Sequence, residues 1–499
     1  MRTLDAPMTL RRPRRALGAL AALLLAGPAS GAAPSADAVA VGKWWGKLPA
    51  PKETVDFGIE IRRDEKGDLR VAITQPIAGY FDMAYPGEVK VEGRSIAIDT
   101  LALTGTIDGD RLSAKFGSAK IPLELRRVEA LPSPPPIPRF PAGPGPRWQT
   151  RLSGQIFASP AVADGIAYVG TTGGVFDAVK TSDGTILWTF EAGRPIFGAA
   201  RLTADAVYFV ADNGYLFKLA RQGGKELWRY DLGDARESRV LPHPDGIGWD
   251  FHAPRPLVID DTVYVGSGDG SFHAVDVATG ARRWRFATGG KIRGGAAQAG
   301  DRVVFGSADH FVYSLDRATG EQAWKHDTKA EVENEPAVAG DRVVVGNRGV
   351  GLVALASASG EELWHTTFWG SWLESTPTVD RGVLYVGSSD MGRVSALDPG
   401  DGRVLWRADV FGWTFGTPLV VGERIYAGAA GGTPYFLPHA ASLCVLDRSN
   451  GSVVERWPLP ESADGHMWGF GGSLALAGDT IVATSIGGSV YGFPLRPPA

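Results

Sequence analysis

"YVGSGDGSFHAVDVATGARRWRF" (residues 264–286) and "VVFGSADHFVYSLDRATGEQAWKH" (303–326) are two copies of one unit. Each has two alternating apolar runs, then a small-polar-Gly turn, then a tryptophan four residues after the glycine. Gly184/Trp188, Gly224/Trp228, Gly280/Trp284, Gly320/Trp324, Gly360/Trp364 and Gly402/Trp406 keep that spacing, and Gly451/Trp457 stretches it by two. From Trp188 onward the successive tryptophans lie 40, 56, 40, 40, 42 and 51 residues apart, a period near 40 broken by two insertions. A fixed period of that size marks a repeat architecture. Within a unit the apolar period is two, the runs are rich in Val, Leu, Ile, Tyr and Phe, and Gly or Asp breaks them, so each unit is four short antiparallel strands. Four-stranded units at this period are propeller blades.

The chain ends on "GGSVYGFPLRPPA", before the tryptophan-bearing strand of its last unit. "PRWQTRLSG" (146–154) stands ahead of the first complete unit, matches "ELWRYDLGD" (226–234), and puts Trp148 40 residues before Trp188. That segment is therefore expected to be the outer strand of the last blade, closing an eight-bladed ring and pairing its open strand edges. Trp148, Trp188, Trp228, Trp284, Trp324, Trp364, Trp406 and Trp457 are read as one blade-docking column.

The chain has 499 residues, 66 of them glycine, and 10% aromatics, enough for a large core in two domains. Residues 1–33, with "LRRPRRALGALAALLLAGPASGAA", read as a signal peptide: a basic start, an apolar run too short to span a bilayer, then small residues. Arg14 and Arg15 leave the general and the twin-arginine export routes both open. Removing that segment's five Arg and one Asp takes the net charge from −4 to about −8, against a nucleic-acid partner. The expected location is periplasmic or secreted, with no transmembrane segment in the mature chain. The single cysteine, Cys444, allows no intrachain disulfide and falls in a strand column, as a packed thiol.

Residues 41–128 alternate strongly, as in "VDFGIEIRR" and "VKVEGRSIAI", and "TIDGDRLSAKF" signals a hairpin. This predicts a small all-β domain, barrel or sandwich, of about eight strands, with Trp44 and Trp45 as core plugs. "GKWWGKL" and "LTGTIDGDRLSAKF" loosely resemble the small β-domains that precede some secreted hydrolases. Residues 129–146 form a Pro-rich linker, and "PSPPPIPRFPAGPGP" (132–146) reads as a stiff polyproline spacer of up to roughly 46 Å. It is expected to hold the β-domain off the propeller of residues 147–499.

"AVDVATGARRW", "SLDRATGEQAW" and "ALDPGDGRVLW" resemble the tryptophan-docking motif of the pyrroloquinoline quinone (PQQ)-type propellers, over residues 146–499. The resemblance specifies architecture and leaves function open. It implies either a quinoprotein dehydrogenase holding PQQ and Ca²⁺ over the ring axis, or a cofactor-free docking scaffold like the propeller lipoprotein of the outer-membrane β-barrel assembly machinery. The alcohol-dehydrogenase members carry a pair of adjacent cysteines, and this chain has one cysteine; the assembly lipoprotein has a lipobox, and none follows residues 1–33 here.

The irregular residues collect on one face. In a propeller the connections from the outermost strand of one blade to the innermost strand of the next emerge on the same face as the turns between the second and third strands. Insertions at 234–250 and 429–441, five spare tryptophans (Trp249, Trp369, Trp372, Trp413, Trp468), Asp250, His466 and the run Glu331, Glu333, Glu335 all fall there. Arg293, Glu374 and Phe415 lie in the same connections. Clustered aromatics around a concave mouth predict a binding rim for a protein, peptide or glycan of the cell envelope. In the competing reading the tryptophans wedge between blades, and Arg293 and Glu333 form an inter-blade ion pair. No phosphate loop, nucleophile elbow or HExxH metal motif occurs. The expectation is a non-catalytic scaffold or binding protein without a cofactor, the alternative being a PQQ- and calcium-dependent alcohol or sugar dehydrogenase.

Overall fold

The structure is a computed structural model and describes residues 38–49, 53–136, 138–233, 239, 250–349, 351–368, 371–432, 439–462 and 467–496. Among them the protein is all-β, with two short 3₁₀ turns. None of their segments is a helix long and apolar enough to cross a membrane. The signal-peptide reading of residues 1–33 lies outside the described residues.

The N-terminal domain is one antiparallel sheet of nine strands, β1 (Gly42–Pro49), β2 (Thr54–Arg63), β3 (Leu69–Gln75), β4 (Tyr80–Tyr85), β5 (Val89–Glu92), β6 (Ser95–Ile98), β7 (Leu103–Asp108), β8 (Arg111–Phe116) and β9 (Ile121–Val128). Their order is β4-β3-β2-β1-β9-β8-β7-β6-β5, so the domain's first and last strands pair at the centre. The sheet curls into a half-barrel because one face is apolar throughout. Val55, Phe57, Ile59 and Ile61 of β2 turn inward against Leu103, Leu112, Leu123 and Leu125. Trp44 is fully buried there, its indole donating to the Ala40 carbonyl at 3.0 Å, with Arg127 4.3 Å above the ring. Trp45, on the opposite face, is half-buried.

Eight sheets follow, centred on residues 161–191, 201–231, 257–287, 296–327, 337–367, 378–409 and 419–458 for blades 1 to 7, and on 475–494 for blade 8; each has four strands, and blade 7 gains a short fifth, Trp468–Gly469. The outer strand of blade 8 is Trp148–Arg151, antiparallel to the C-terminal strand with Trp148 opposite Gly492. Ring closure through both ends of the propeller is thus as the repeat predicts, and it covers the edge that the C-terminal strand would otherwise leave open.

One geometry docks seven of the eight blade junctions. Trp148 Nε1 donates to the Thr181 carbonyl of the next blade at 2.9 Å, and Trp188, Trp228, Trp284, Trp324, Trp364 and Trp406 donate to the carbonyls of Arg221, Val277, Arg317, Ser357, Pro399 and Arg448 at 2.9–3.2 Å. Each indole lies over the turn glycine of that next blade, as Trp148 over Gly184 and Trp284 over Gly320. Both glycines have φ +78, and a Cβ on either would meet the ring within 2.7 Å, so glycine is required twice over.

Trp457 is not in that column. The register puts Glu455 at the docking position, opposite Val445, and Trp457 two residues further along the same face, opposite Leu443. The reason is the closure itself: the third and fourth strands of blade 8 come from opposite ends of the propeller, so no turn glycine joins them for an indole to cover. Trp457 instead stacks on Phe493, centroids 5.2 Å apart.

The proline-rich linker also departs from expectation. It packs along blade 7: Phe140 sits 5.8 Å from Phe411, the Pro141 carbonyl accepts from Arg456 N at 3.2 Å, and Gly143 lies against the Trp457 indole. The half-barrel touches blade 6, through Glu53 with Arg407 at 3.3 Å and the Ile77 carbonyl with Arg393. The segment is a strap fixed by these contacts, and the β-domain is not held off the ring.

Candidate functional site on the propeller axis

Each connection from one blade to the next places one residue at the same height on the axis, just before the next blade's innermost strand. The eight are Phe157, Phe197, His252, Arg293, Glu333, Glu374, Phe415 and Gly471, and together they line a cavity of about 390 Å³. The repeat sets their spacing: Phe157 to Phe197 and Arg293 to Glu333 are 40 residues apart, Glu333 to Glu374 and Glu374 to Phe415 are 41. Small residues behind them let the connections nest, as Gly294 under the Asn334 carbonyl and Gly416 under that of Gly472.

The ring is divided by chemistry. Phe415, Gly471, Phe157 and Phe197 make a continuous apolar arc, while His252, Arg293, Glu333 and Glu374 make a continuous polar one. Phe251 closes the apolar arc from within, its ring centroid 5.4 Å from Phe157 and 5.2 Å from Phe415, and it is only 2% exposed. Arg239, in the 234–250 insertion, holds it in place. Its guanidinium pairs with Asp212 and Asp250, donates to the His252 carbonyl at 2.6 Å and lies 4.5 Å over Phe197.

Charges in the polar arc are paired two ways. Arg293, 2% exposed, donates from Nε and Nη2 to both oxygens of Asp250 at 2.8 Å, and Lys291 adds a contact at 3.1 Å. Burial pushes the Asp250 carboxyl up, but the Arg293 hydrogen bonds and charge outweigh it and hold the group below its ordinary value. Arg348 takes the glutamates, with Nη2 at 2.7 Å from Glu374 and 2.9 Å from Glu333, and its guanidinium 4.8 Å over the Trp372 ring. Glu374 also faces His252 Nε2 at 3.5 Å. Its burial acts upward, yet His252 and Arg348 bring it down to about 2. Glu333 goes the other way, because burial outweighs Arg348 and raises it. Asp390, in the neighbouring turn, is raised by burial to about 6 despite the hydrogen bond from Trp372 N at 3.2 Å.

The predicted rim residues thus separate into distinct groups. Trp249, Trp369 and His466 lie outside the described residues. Trp413, Phe415 and Trp468 are 3%, 5% and 5% exposed, so they are not exposed rim aromatics. Trp413 bridges to Ala430 and stacks on His439 at 4.5 Å, and Trp468 pairs with Gly431, so the described ends of the blade 7 insertion lie against both. Trp372 remains half-buried at the surface. Arg293, Glu333, Glu374 and Asp250 do converge on the axis, but the partner the structure assigns to Arg293 is Asp250, and to Glu333 it is Arg348.

Sequence reasoning missed His252, Arg348, Asn334 and the phenylalanines 157, 197 and 251. It followed the odd residues and not the repeat column. Aligning the connections on the tryptophan period would have put Phe157, Phe197, Arg293 and Glu333 at one position. His252 would have stayed hidden, because the insertion breaks the spacing just before it.

Fold and axis together define an eight-bladed propeller with a divided axial cavity. The family model described as "Outer membrane protein assembly factor BamB" matches residues 143–268, 212–371 and 352–496, and the chain belongs to that family. The BamB of Yersinia pestis is 27% identical over 147 residues, 28% of this chain and 36% of that protein, so the alignment spans well under two thirds of the relative. The serine/threonine-protein kinase AfsK of Streptomyces coelicolor is 30% identical over 189 residues, 32% of this chain and 23% of the kinase. Among solved structures, BamB from Moraxella catarrhalis aligns at TM-score 0.53 and 19% identity, covering 70% of this chain and 99% of that one. The quinohemoprotein alcohol dehydrogenase of Comamonas testosteroni aligns at TM-score 0.55 and 15% identity, covering 71% and 77%. Those two likenesses speak to fold alone.

Proposed function

We propose that the protein is a non-catalytic scaffold of the cell envelope, exported by residues 1–33, that holds a segment of a partner protein at the mouth of the axial cavity. The observation that carries this reading is the divided ring. A mouth with aromatic side chains on one arc and two glutamates with an arginine on the other suits an extended peptide, whose apolar and basic side chains would each find a complementary wall. Family membership supports it, since the related proteins are described as assembly factors. Trp372, half-buried beneath Arg348 at the edge of the polar arc, is the aromatic contact we assign to the partner. Trp413 and Trp468 support the mouth from behind.

A quinoprotein activity has less support. The quinone carries three carboxylates, and the cavity already presents Glu333 and Glu374, while Arg293 is committed to Asp250. The one cysteine, Cys444, is buried in blade 7.

Crosslinking in envelope fractions tests the scaffold reading. Wild type is expected to trap a discrete partner, and Trp372→Ala to lose most of it while melting at the same temperature. Purified protein that takes up added PQQ and Ca²⁺ and reduces a dye with an alcohol or sugar would overturn the proposal.

A further inference from the structure

His252, Glu333 and Glu374 come from three separate blade connections and present one nitrogen and two carboxylate oxygens, all within 4.8 Å of one another, to the polar arc of the cavity. Separately, this corner holds a polar atom the fold leaves unsatisfied. Asn334 Oδ1 is buried without a hydrogen bond, while His252 Nε2 and Glu333 Oε2, equally buried, have only ion-pair contacts, with Glu374 at 3.5 Å and Arg348 at 2.9 Å. Glu333 is 8% exposed and Asn334 4%. The Asn334 amide is not free to turn, because its nitrogen donates to the Leu373 and Ser375 carbonyls at 3.1 and 3.2 Å, on either side of Glu374. Native interiors rarely leave such an atom orphaned, and an orphaned amide oxygen beside a buried imidazole and two carboxylates marks the place of a ligand.

Charge points the same way. Among the described residues Arg348 is the only guanidinium paired with Glu333 and Glu374, so with His252 neutral the buried corner carries one negative charge in excess when both are ionised.

We infer that His252, Glu333 and Glu374 bind one divalent first-row transition ion, of which zinc is the type. An imidazole with two carboxylates is borderline in softness and favours zinc or manganese over calcium or magnesium, whose sites are all oxygen. Donors sharing a zinc at about 2.1 Å stand about 3.4 Å apart in a tetrahedron. The three side chains therefore draw in by about an ångström on binding, which carboxylate and imidazole rotation supplies. Asn334 lines the same cavity, and its unpartnered Oδ1 would serve as a fourth oxygen or as the acceptor for a metal-bound water. The ion would cross-link blades at three connections and polarise the mouth. Binding does not depend on the scaffold reading, since a cation can bind whether or not a partner does.

The full mature chain, stripped with a chelator, is titrated with zinc chloride by calorimetry and melted with and without the ion. One equivalent per chain and a higher melting temperature are expected, because a ligand of the native state stabilises it. His252→Gln and Glu333→Gln should each weaken that equivalent about ten-fold or more. Cobalt(II) gives a second readout, a visible d–d spectrum with mixed nitrogen and oxygen donors that the His252→Gln variant lacks. Should Glu333→Gln fail to fold, His252→Gln decides, since His252 is partly exposed. No saturable equivalent in the wild type, or an equivalent unchanged in a folded His252→Gln, overturns the assignment and relegates any zinc bound to other histidines.

Discussion

Glu455 makes a two-pronged ion pair with Arg496, at 2.6 and 2.8 Å, at the one blade junction where no tryptophan docks. Arg496 follows the residue of blade 8 that matches the docking carbonyls of the other blades, so charge here does what an indole and a carbonyl do elsewhere. Trp457 is left to cover the junction from two residues away, and the linker covers Trp457 in turn: a Cβ on Gly143 would run into its indole ring.

Gly143→Leu is therefore expected to lever the strap away from blade 7 and lower stability by about 1–3 kcal/mol, the usual cost of overpacking. Gly145→Leu is the control, because a Cβ there would have no atom within 4 Å. Calorimetric melting of both variants checks it; equal melting temperatures would mean that the strap contributes nothing.

Trp284→Ala and Trp324→Ala should each cost about 3–5 kcal/mol, through a cavity between blades and a lost hydrogen bond. Trp413→Ala joins them in destabilising, because that ring is buried against His439 and Phe415. Trp372→Ala should fall at or below about 1 kcal/mol. Urea denaturation of the four variants orders them; a Trp372 variant as damaged as Trp284→Ala would assign Trp372 to packing and remove it from the mouth.

Asp250→Asn leaves Arg293 buried without its carboxylate and is expected to cost about 3–5 kcal/mol. Asp250 and Glu374 both titrate lower in the folded state than in the unfolded one. The Glu374 contribution is full above its unfolded value of 4.5 and is lost as pH falls toward about 2. Glu374→Gln, which has no such carboxylate to protonate, should therefore lose less stability than wild type across that interval. Urea denaturation at each end of it measures the difference; equal losses would mean that Glu374 carries no acid-sensitive stability.

Asp390 has the opposite sign. Its folded carboxyl titrates at about 6, above the unfolded value of 3.8, so the folded state holds the proton more tightly. Stability is expected to fall as pH rises from about 4 to about 6, by up to ~1.4 kcal/mol per pH unit, and to stay lowered above that. Asp390→Asn keeps an acceptor for Trp372 N and Ser389 Oγ, and should stabilise the protein at about pH 7.5 but not at about pH 4. A variant equally affected at both would show that Asp390 is ionised throughout.

How much of this was legible differs by scale. The tryptophan and glycine recur at a fixed offset because each blade must dock on the next in the same way, and a local rule repeated along a chain leaves a period that can be read directly. Blade number, strand count and closure through Trp148 all follow from it, as does the alternation that makes residues 42–128 a separate sheet. The same rule was over-extended at Trp457, where the spacing of six in place of four was itself the sign that the docking position held Glu455.

Which side chains face one another across the axis was not legible, since that depends on connections far apart in sequence meeting at one height. His252 and Glu374 are 122 residues apart, and only ring closure brings them to 3.5 Å. Burial was equally hidden. An aromatic in a connecting loop looks exposed in sequence, yet Ala430, Gly431 and His439 of blade 7 pack on Trp413 and Trp468 and take them out of solvent. Composition and period determined the architecture because those are properties of each unit alone, and the tertiary structure decided the site because it belongs to the space between units.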